Sequence, residues 1–114
     1  MAEEFTDFSL DQLLSKAFEY HSNGNILEAE KYYEYILSQG ISHPGILSNY
    51  GIICKDKGEV DLAISLYKKS IDLYPNSPDA YSNLGNILHS QGKLNKAEYY
   101  IRKAIELNPS FAYA

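Results

Sequence analysis

The side chains with the widest chemistry in this sequence are three histidines and one cysteine. Imidazole and thiolate groups act as metal ligands, nucleophiles or general bases when they lie within reach of one another. His43 has no second ligand nearby, and His21 and His89 are too far apart to share one metal ion. No nucleophile–base pair, phosphate-binding glycine loop or metal-ligand spacing is present. The sequence therefore predicts no catalytic residue, no metal and no cofactor, and it predicts that Cys54 is an inert buried thiol.

The elements that position the other side chains follow a period of 34 residues. When the sequence is moved back by two periods, 68 residues, Gly92 aligns with Gly24 and Ala97 aligns with Ala29. A fixed period of about 20–50 residues is the signature of a solenoid, in which each unit packs on the next. Identities after a single shift include Asn83 on Asn49, Gly85 on Gly51, Gly92 on Gly58, Ala97 on Ala63, Ile105 on Ile71, Leu107 on Leu73 and Pro109 on Pro75.

A 34-residue helix–turn–helix period with these residues resembles the tetratricopeptide repeat. The resemblance covers Leu10 to Pro109. It implies an all-α fold, a right-handed α-α superhelix of three helix-turn-helix units with six main helices. The family positions hold Tyr81, Leu84, Gly85, Leu88, Ala97, Ile101, Ala104 and Pro109 in the third unit, Leu47, Tyr50, Gly51, Cys54, Ala63, Tyr67, Ser70 and Pro75 in the second, and Leu13, Lys16, Ala17, Tyr20, Ala29, Tyr33, Ile36 and Ile41 in the first.

The repeat register divides the chain into an acidic lead-in, three repeats and a short remainder. The first repeat is degenerate because Ile41 stands where the family has a proline. Solenoids normally end in a polar capping helix, and this sequence shows none. We therefore expect the last helix to expose Tyr100, Ile101 and Ala104, either within a longer array or as a surface for self-association. The segments are residues 1–9 for the lead-in, 10–43, 44–77 and 78–111 for the repeats, and 112–114 for the start of a truncated further repeat.

Local signals predict where the helices begin and end. Ser9 and Gln12 form a predicted capping box, and Ser77 is a predicted cap before Pro78. Gly58 and its counterparts in the other repeats end the first helix of each unit, where a positive φ is needed. The predicted helices run from Leu10 to Ser22, Ile26 to Ser38, Pro44 to about Lys57, Val60 to Leu73, Pro78 to Gln91 and Leu94 to Leu107.

The composition limits the partners and the cellular setting. A formal net charge of −5 and a pI near 5.1 disfavour nucleic acid as the main partner, and Arg102 is the sole arginine. One cysteine cannot form an internal disulfide, and no apolar run is long enough to span a membrane. We therefore expect no nucleic-acid or membrane partner and a reducing, cytoplasmic setting.

The resemblance places the binding surface on the first helix of each repeat, which lines the concave side in this family. Asn49 and Asn83 occupy the same position in successive repeats, and an amide carries both a donor and an acceptor. A stack of such amides can bind the backbone of an extended peptide, which resembles the asparagine ladder of some family members. Ser15 interrupts the ladder in the first repeat. The predicted peptide-binding residues are Leu14, Ser15, Phe18, Asn49, Ile52, Lys55, Asn83, Asn86 and His89.

A second binding mode of the family grips a C-terminal carboxylate with a basic clamp. Of the clamp positions in this sequence, Asn49 alone matches, and Asp79 would repel a carboxylate where the clamp needs a lysine. The pattern therefore favours the asparagine-ladder type over the carboxylate-clamp type.

The leading hypothesis is a protein–protein interaction module, a scaffold without enzymatic activity that binds an extended peptide or a partner helix in the concave groove. The alternative is the interaction arm of a longer enzyme, such as a glycosyl-, sulfo- or methyltransferase, with its chemistry outside these residues. Fold alone does not decide between the two.

Overall fold

The structure, a computed structural model, describes residues 5–110, and its helices confirm the predicted all-α fold. Four helices have the predicted bounds, and two end one residue earlier than predicted. The segment 112–114, predicted to start a further repeat, lies outside the described residues, as does the beginning of the lead-in. The helices are α1 (Leu10–Ser22), α2 (Ile26–Ser38), α3 (Pro44–Asp56), α4 (Val60–Leu73), α5 (Pro78–Ser90) and α6 (Leu94–Leu107).

The six helices form two compact units, one of α1 and α2 and one of α3 to α6. In the first unit, α1 packs on α2. In the second unit, α3 packs on α4 and α5 packs on α6, while α5 also contacts both α3 and α4. Each predicted pair of helices is therefore present.

The first unit is held together where α1 and α2 approach closely. Ala17 on α1 and Ala29 on α2 are fully buried, as the small positions of the repeat predict. The Nδ1 atom of His21 lies 2.9 Å from the hydroxyl of Tyr33, a hydrogen bond that ties the end of α1 to α2. His21 thus has a structural partner within its own unit.

The described part of the lead-in is anchored to α2 by Phe5. This ring is buried, with its centroid 4.9 Å from that of Tyr32 and 4.4 Å from that of Tyr35. The contact with Tyr32 is edge-to-face and that with Tyr35 is stacked, both favoured arrangements for aromatic pairs.

The second unit contains two close helix crossings at glycine. A Cβ atom placed on Gly51 of α3 would lie 2.5 Å from Cε1 of Tyr67 on α4. A Cβ atom on Gly85 of α5 would lie 2.6 Å from Cγ1 of Ile101 on α6. Both distances are shorter than two carbon atoms tolerate, so each crossing needs a residue without a side chain.

The ends of the helices follow the sequence signals with one addition. Gly58 has a φ of 85° after α3, as predicted. Gly40 has a φ of 77° after α2, an additional left-handed turn that was not predicted from the sequence. Its amide donates to the carbonyl oxygen of Leu37, so the glycine closes the last turn of α2. Glycine adopts this region without the steric penalty of a Cβ atom.

The N-terminal caps agree with the sequence in α1 and differ in α5. The Ser9 hydroxyl accepts from the amide of Gln12, and the Gln12 side chain accepts from the Ser9 amide, so the predicted capping box is confirmed. His43 caps α3 by accepting from the amide of Gly45 at 3.0 Å. Ser77 occupies the cap position of α5, as predicted, but its side chain makes no capping hydrogen bond.

The predicted exposure of the last helix was partly wrong. Ala104 is only 1 % exposed because it faces the interior of its own unit, and Tyr100 and Ile101 are half-buried. Ile101 faces the glycine crossing on α5, which accounts for its burial. The large apolar side chains that α6 exposes are instead Leu94, at 58 %, and Tyr99, at 62 %.

Candidate peptide-binding face

Three of the predicted binding residues lie along one face of α3. Asn49, Ile52 and Lys55 are spaced three residues apart, and residues at this spacing are neighbours on a helix surface. Asn49 and Ile52 are half-buried and Lys55 is exposed. Leu47 and Cys54, on the side that packs against the rest of the unit, are fully buried. This face of α3 is therefore a strip beside the core in which the apolar Ile52 lies between the polar Asn49 and Lys55.

The same spacing recurs on α5. Asn83 is half-buried, while Asn86 and His89 are exposed. The buried side of this helix carries Leu84 and Gly85, which face the interior. Since α3 and α5 contact each other, the two polar strips belong to neighbouring helices of one unit. We call them together the α3–α5 face.

A small cleft lies where α3, α4 and α5 meet, with a volume of about 220 Å³. Lys55 links the cleft to the α3–α5 face, and its ammonium lies 4.0 Å from the carboxylate of Asp56. Ile87 gives the cleft an apolar wall. The contribution of α4 was not predicted from the first helices of the repeats, although α4 begins directly after the turn that ends α3. The lining residues are Lys55, Val60, Asp61, Ile87, Ser90 and Gln91.

The remaining predicted residues lie on α1, in the other compact unit. Leu14 and Phe18 are half-buried and Ser15 is exposed. The ring of Phe18 lies 6.2 Å, centroid to centroid, from that of Tyr33 on α2, so Phe18 contributes to packing within its unit. A binding role for these three residues stays a prediction.

The chemistry available on the α3–α5 face is hydrogen bonding and apolar contact. In the part of the chain that the structure describes, no group of three or more His, Cys, Asp and Glu side chains is placed to hold a metal ion. Cys54 is a buried thiol outside any disulfide, as predicted. No helix within residues 5–110 combines the length and apolar character needed to cross a membrane.

Two family models match the second half of the chain. The model described as tetratricopeptide repeat matches residues 78–111, and one described as TPR repeat matches residues 51–92. The chain is a tetratricopeptide repeat protein. The matches confirm the predicted family.

Solved structures share the fold of this tetratricopeptide repeat protein. The type III secretion translocator chaperone SycD of Yersinia enterocolitica, in a structure of an alternative dimer, is 25% identical, with a TM-score of 0.77 over 91% of this chain and 81% of SycD. A structure of SycD in complex with a peptide of the translocator YopD is also 25% identical, with a TM-score of 0.79 over 91% of this chain and 82% of SycD. The family match and the shared fold make this chain a tetratricopeptide repeat protein-binding module.

A curated relative is matched over part of its length. The uncharacterized protein YgeG of Escherichia coli (strain K12) is 33% identical over 66 residues, which are 58% of this chain. The match spans 40% of the length of YgeG. The chain therefore matches less than half the length of this curated relative.

Proposed function

We propose that this protein is a non-catalytic binding module that holds an extended segment of a partner protein on the α3–α5 face. The observation that supports the proposal most directly is that contacting helices repeat the same half-buried amide, Asn49 on α3 and Asn83 on α5. The matching position of the two amides provides donors and acceptors at intervals along one surface.

The apolar part of the face suits side chains of the bound segment. Ile52 is half-buried between the polar positions of α3, and Ile87 lines the adjoining cleft. A peptide that hydrogen-bonds through its backbone and places one apolar side chain beside Ile52 would use both features. This mode combines weak sequence reading with a few apolar anchors.

The likeness to SycD supports a peptide as the ligand. SycD has been solved with a peptide of the translocator YopD, and it shares this fold at 25% identity. By analogy, we propose a chaperone-like role in which the module holds a partner's segment, in a cytoplasmic setting. Self-association, by analogy with the SycD dimer, is part of the same proposal.

The proposal is tested by removing the two amides and leaving equivalent amides elsewhere. The test variant is Asn49→Ala/Asn83→Ala, and the matched control is Asn76→Ala/Asn95→Ala, which alters two exposed asparagines off the face. Each protein, immobilised after its melting temperature has been checked, is incubated with lysate, and captured proteins are identified by mass spectrometry. We expect a partner held by the wild type and the control to be reduced about tenfold on the test variant, as loss of two net hydrogen bonds predicts.

A partner retained equally by an intact test variant would contradict binding at this face. Equal loss on both variants would show that asparagine content, rather than position, matters. Either result would remove the α3–α5 face from the account.

A further inference from the structure

A second groove lies on the other side of α5, between α4 and α6. Its volume is about 300 Å³, at the lower end of the range of small-molecule pockets, about 300–1,000 Å³. Helical spacing explains how its residues come together, since each helix contributes side chains three or four positions apart. The lining residues are Ile64 and Lys68 from α4, Leu84 and Leu88 from α5, and Lys93, Lys96, Tyr99 and Tyr100 from the start and body of α6.

The groove has an apolar floor. Leu84 is fully buried and Leu88 nearly so, while Ile64 and Tyr100 are half-buried on either side. Tyr99, which stands at the rim, exposes a large aromatic surface to solvent. A floor of this kind favours an apolar side chain over water, because burial of apolar surface is worth roughly 25 cal/mol per Å².

The rim of the groove is basic in a protein that is acidic overall. Lys68, Lys93 and Lys96 are exposed, and no carboxylate lines the groove. Among the described residues, none of these three lysines forms an ion pair, although lysines elsewhere in the chain do. The N-terminal end of the α6 helix dipole adds to the positive potential of the rim. The first turn of α6 contains no acidic residue that would offset it. With a formal net charge of −5, the chain concentrates cations here against its overall balance.

We propose that this groove, the α4–α6 groove, docks an acidic segment of a partner protein that inserts one apolar side chain. The carboxylates of the segment meet the three lysines, and the apolar side chain packs on Leu84 and Leu88. Charge complementarity selects this occupant, and the acidic remainder of the surface would repel the continuous phosphate backbone of a nucleic acid. The site is separate from the α3–α5 face, because α5 turns different residues to each side.

The test uses a fluorescein-labelled peptide that carries acidic residues on both sides of a single phenylalanine. Binding to the full chain is followed by fluorescence anisotropy. We expect Lys68→Glu/Lys96→Glu to weaken binding about tenfold or more, since two attractive rim charges become repulsive. The matched control, Lys69→Glu/Lys103→Glu, makes the same charge change outside the lining and should bind nearly as the wild type does. Replacing the phenylalanine of the peptide by alanine should also weaken binding.

Several outcomes would overturn the proposal. Absence of peptide binding by the wild type would do so, as would equal weakening by the control variant, which would show attraction by charge alone. If a single-stranded oligonucleotide bound equally well, the ligand of the groove would be a phosphate backbone and not an acidic peptide. A dimer that sedimentation detects in the wild type and that Lys68→Glu/Lys96→Glu abolishes would make a second copy of this chain the occupant. Retention of peptide binding by Asn49→Ala/Asn83→Ala would separate this result from the α3–α5 face.

Discussion

At the scale of single residues, the chemistry of this chain is that of packing and recognition. Cys54 and two of the three histidines have structural roles. Cys54 is buried, His43 caps α3, and His21 forms a hydrogen bond with Tyr33. The hydroxyls of Ser48 and Ser70 are buried without a hydrogen-bond partner among the described residues.

Tyr67 gives a prediction about stability at alkaline pH. Burial raises the pKa of Tyr67 above its ordinary value of 10.0, and electrostatic interactions with Asp56 and Cys54 add to the effect. Above pH 10.0 the unfolded chain loses the phenolic proton while the folded chain keeps it, so the free energy of unfolding falls as pH rises. The loss from this one group is up to about 1.4 kcal/mol per pH unit.

Tyr67→Phe removes the titrating group and keeps the ring that packs on Gly51. We expect the free energy of unfolding of this variant, measured by urea denaturation at several pH values, to fall less steeply above pH 10.0 than that of the wild type. A measurement at neutral pH serves as the control for folding. If the free energy of unfolding fell equally steeply in the variant and the wild type, Tyr67 would not be the source of the pH dependence.

At the scale of elements, the fold depends on the close approach of paired helices. Alanine at Gly51 would gain helix propensity of about 1 kcal/mol. Against this, its Cβ atom would meet the Tyr67 ring at 2.5 Å, and that ring is only 1 % exposed and cannot move into solvent. Overpacking costs about 1–3 kcal/mol, so the clash should prevail over the propensity.

We therefore expect Gly51→Ala to lower the free energy of unfolding by roughly 1 kcal/mol, with a larger loss for Gly51→Leu. Urea denaturation measures the change. Ser65→Ala, on the exposed side of α4, is the matched control and should stay within about 0.5 kcal/mol of the wild type. A Gly51→Ala variant more stable than the wild type would show that α3 and α4 do not meet as closely as described.

Most of the elements could be predicted from the sequence because a repeat supplies its own internal alignment. The start of α1 was marked by Ser9 and Gln12, and the end of α3 by Gly58. What the sequence did not predict depends on tertiary packing or on irregular positions. Gly40 lies outside the recurring glycine register, and the burial of Ala104 depends on how α6 meets α5.

At the scale of the whole molecule, the predicted binding residues are divided between two compact units. Asn49 and Asn83 lie on contacting helices of one unit, so their common role has a structural basis. The residues of α1 were predicted from repeat position alone, and their role in binding remains a prediction. The α4–α6 groove was missed because its lysines and leucines become one surface only when three helices pack together.

Site-specific photo-cross-linking shows whether partner proteins bind at the α3–α5 face. A photoreactive amino acid is placed at Ile52, between the amides of the face, and in a second protein at Ser65, on the exposed side of α4. After irradiation in lysate, we expect a covalent adduct with a partner from position 52 and none from position 65. An adduct from position 65 without one from position 52 would contradict this expectation and place the binding surface elsewhere on the molecule.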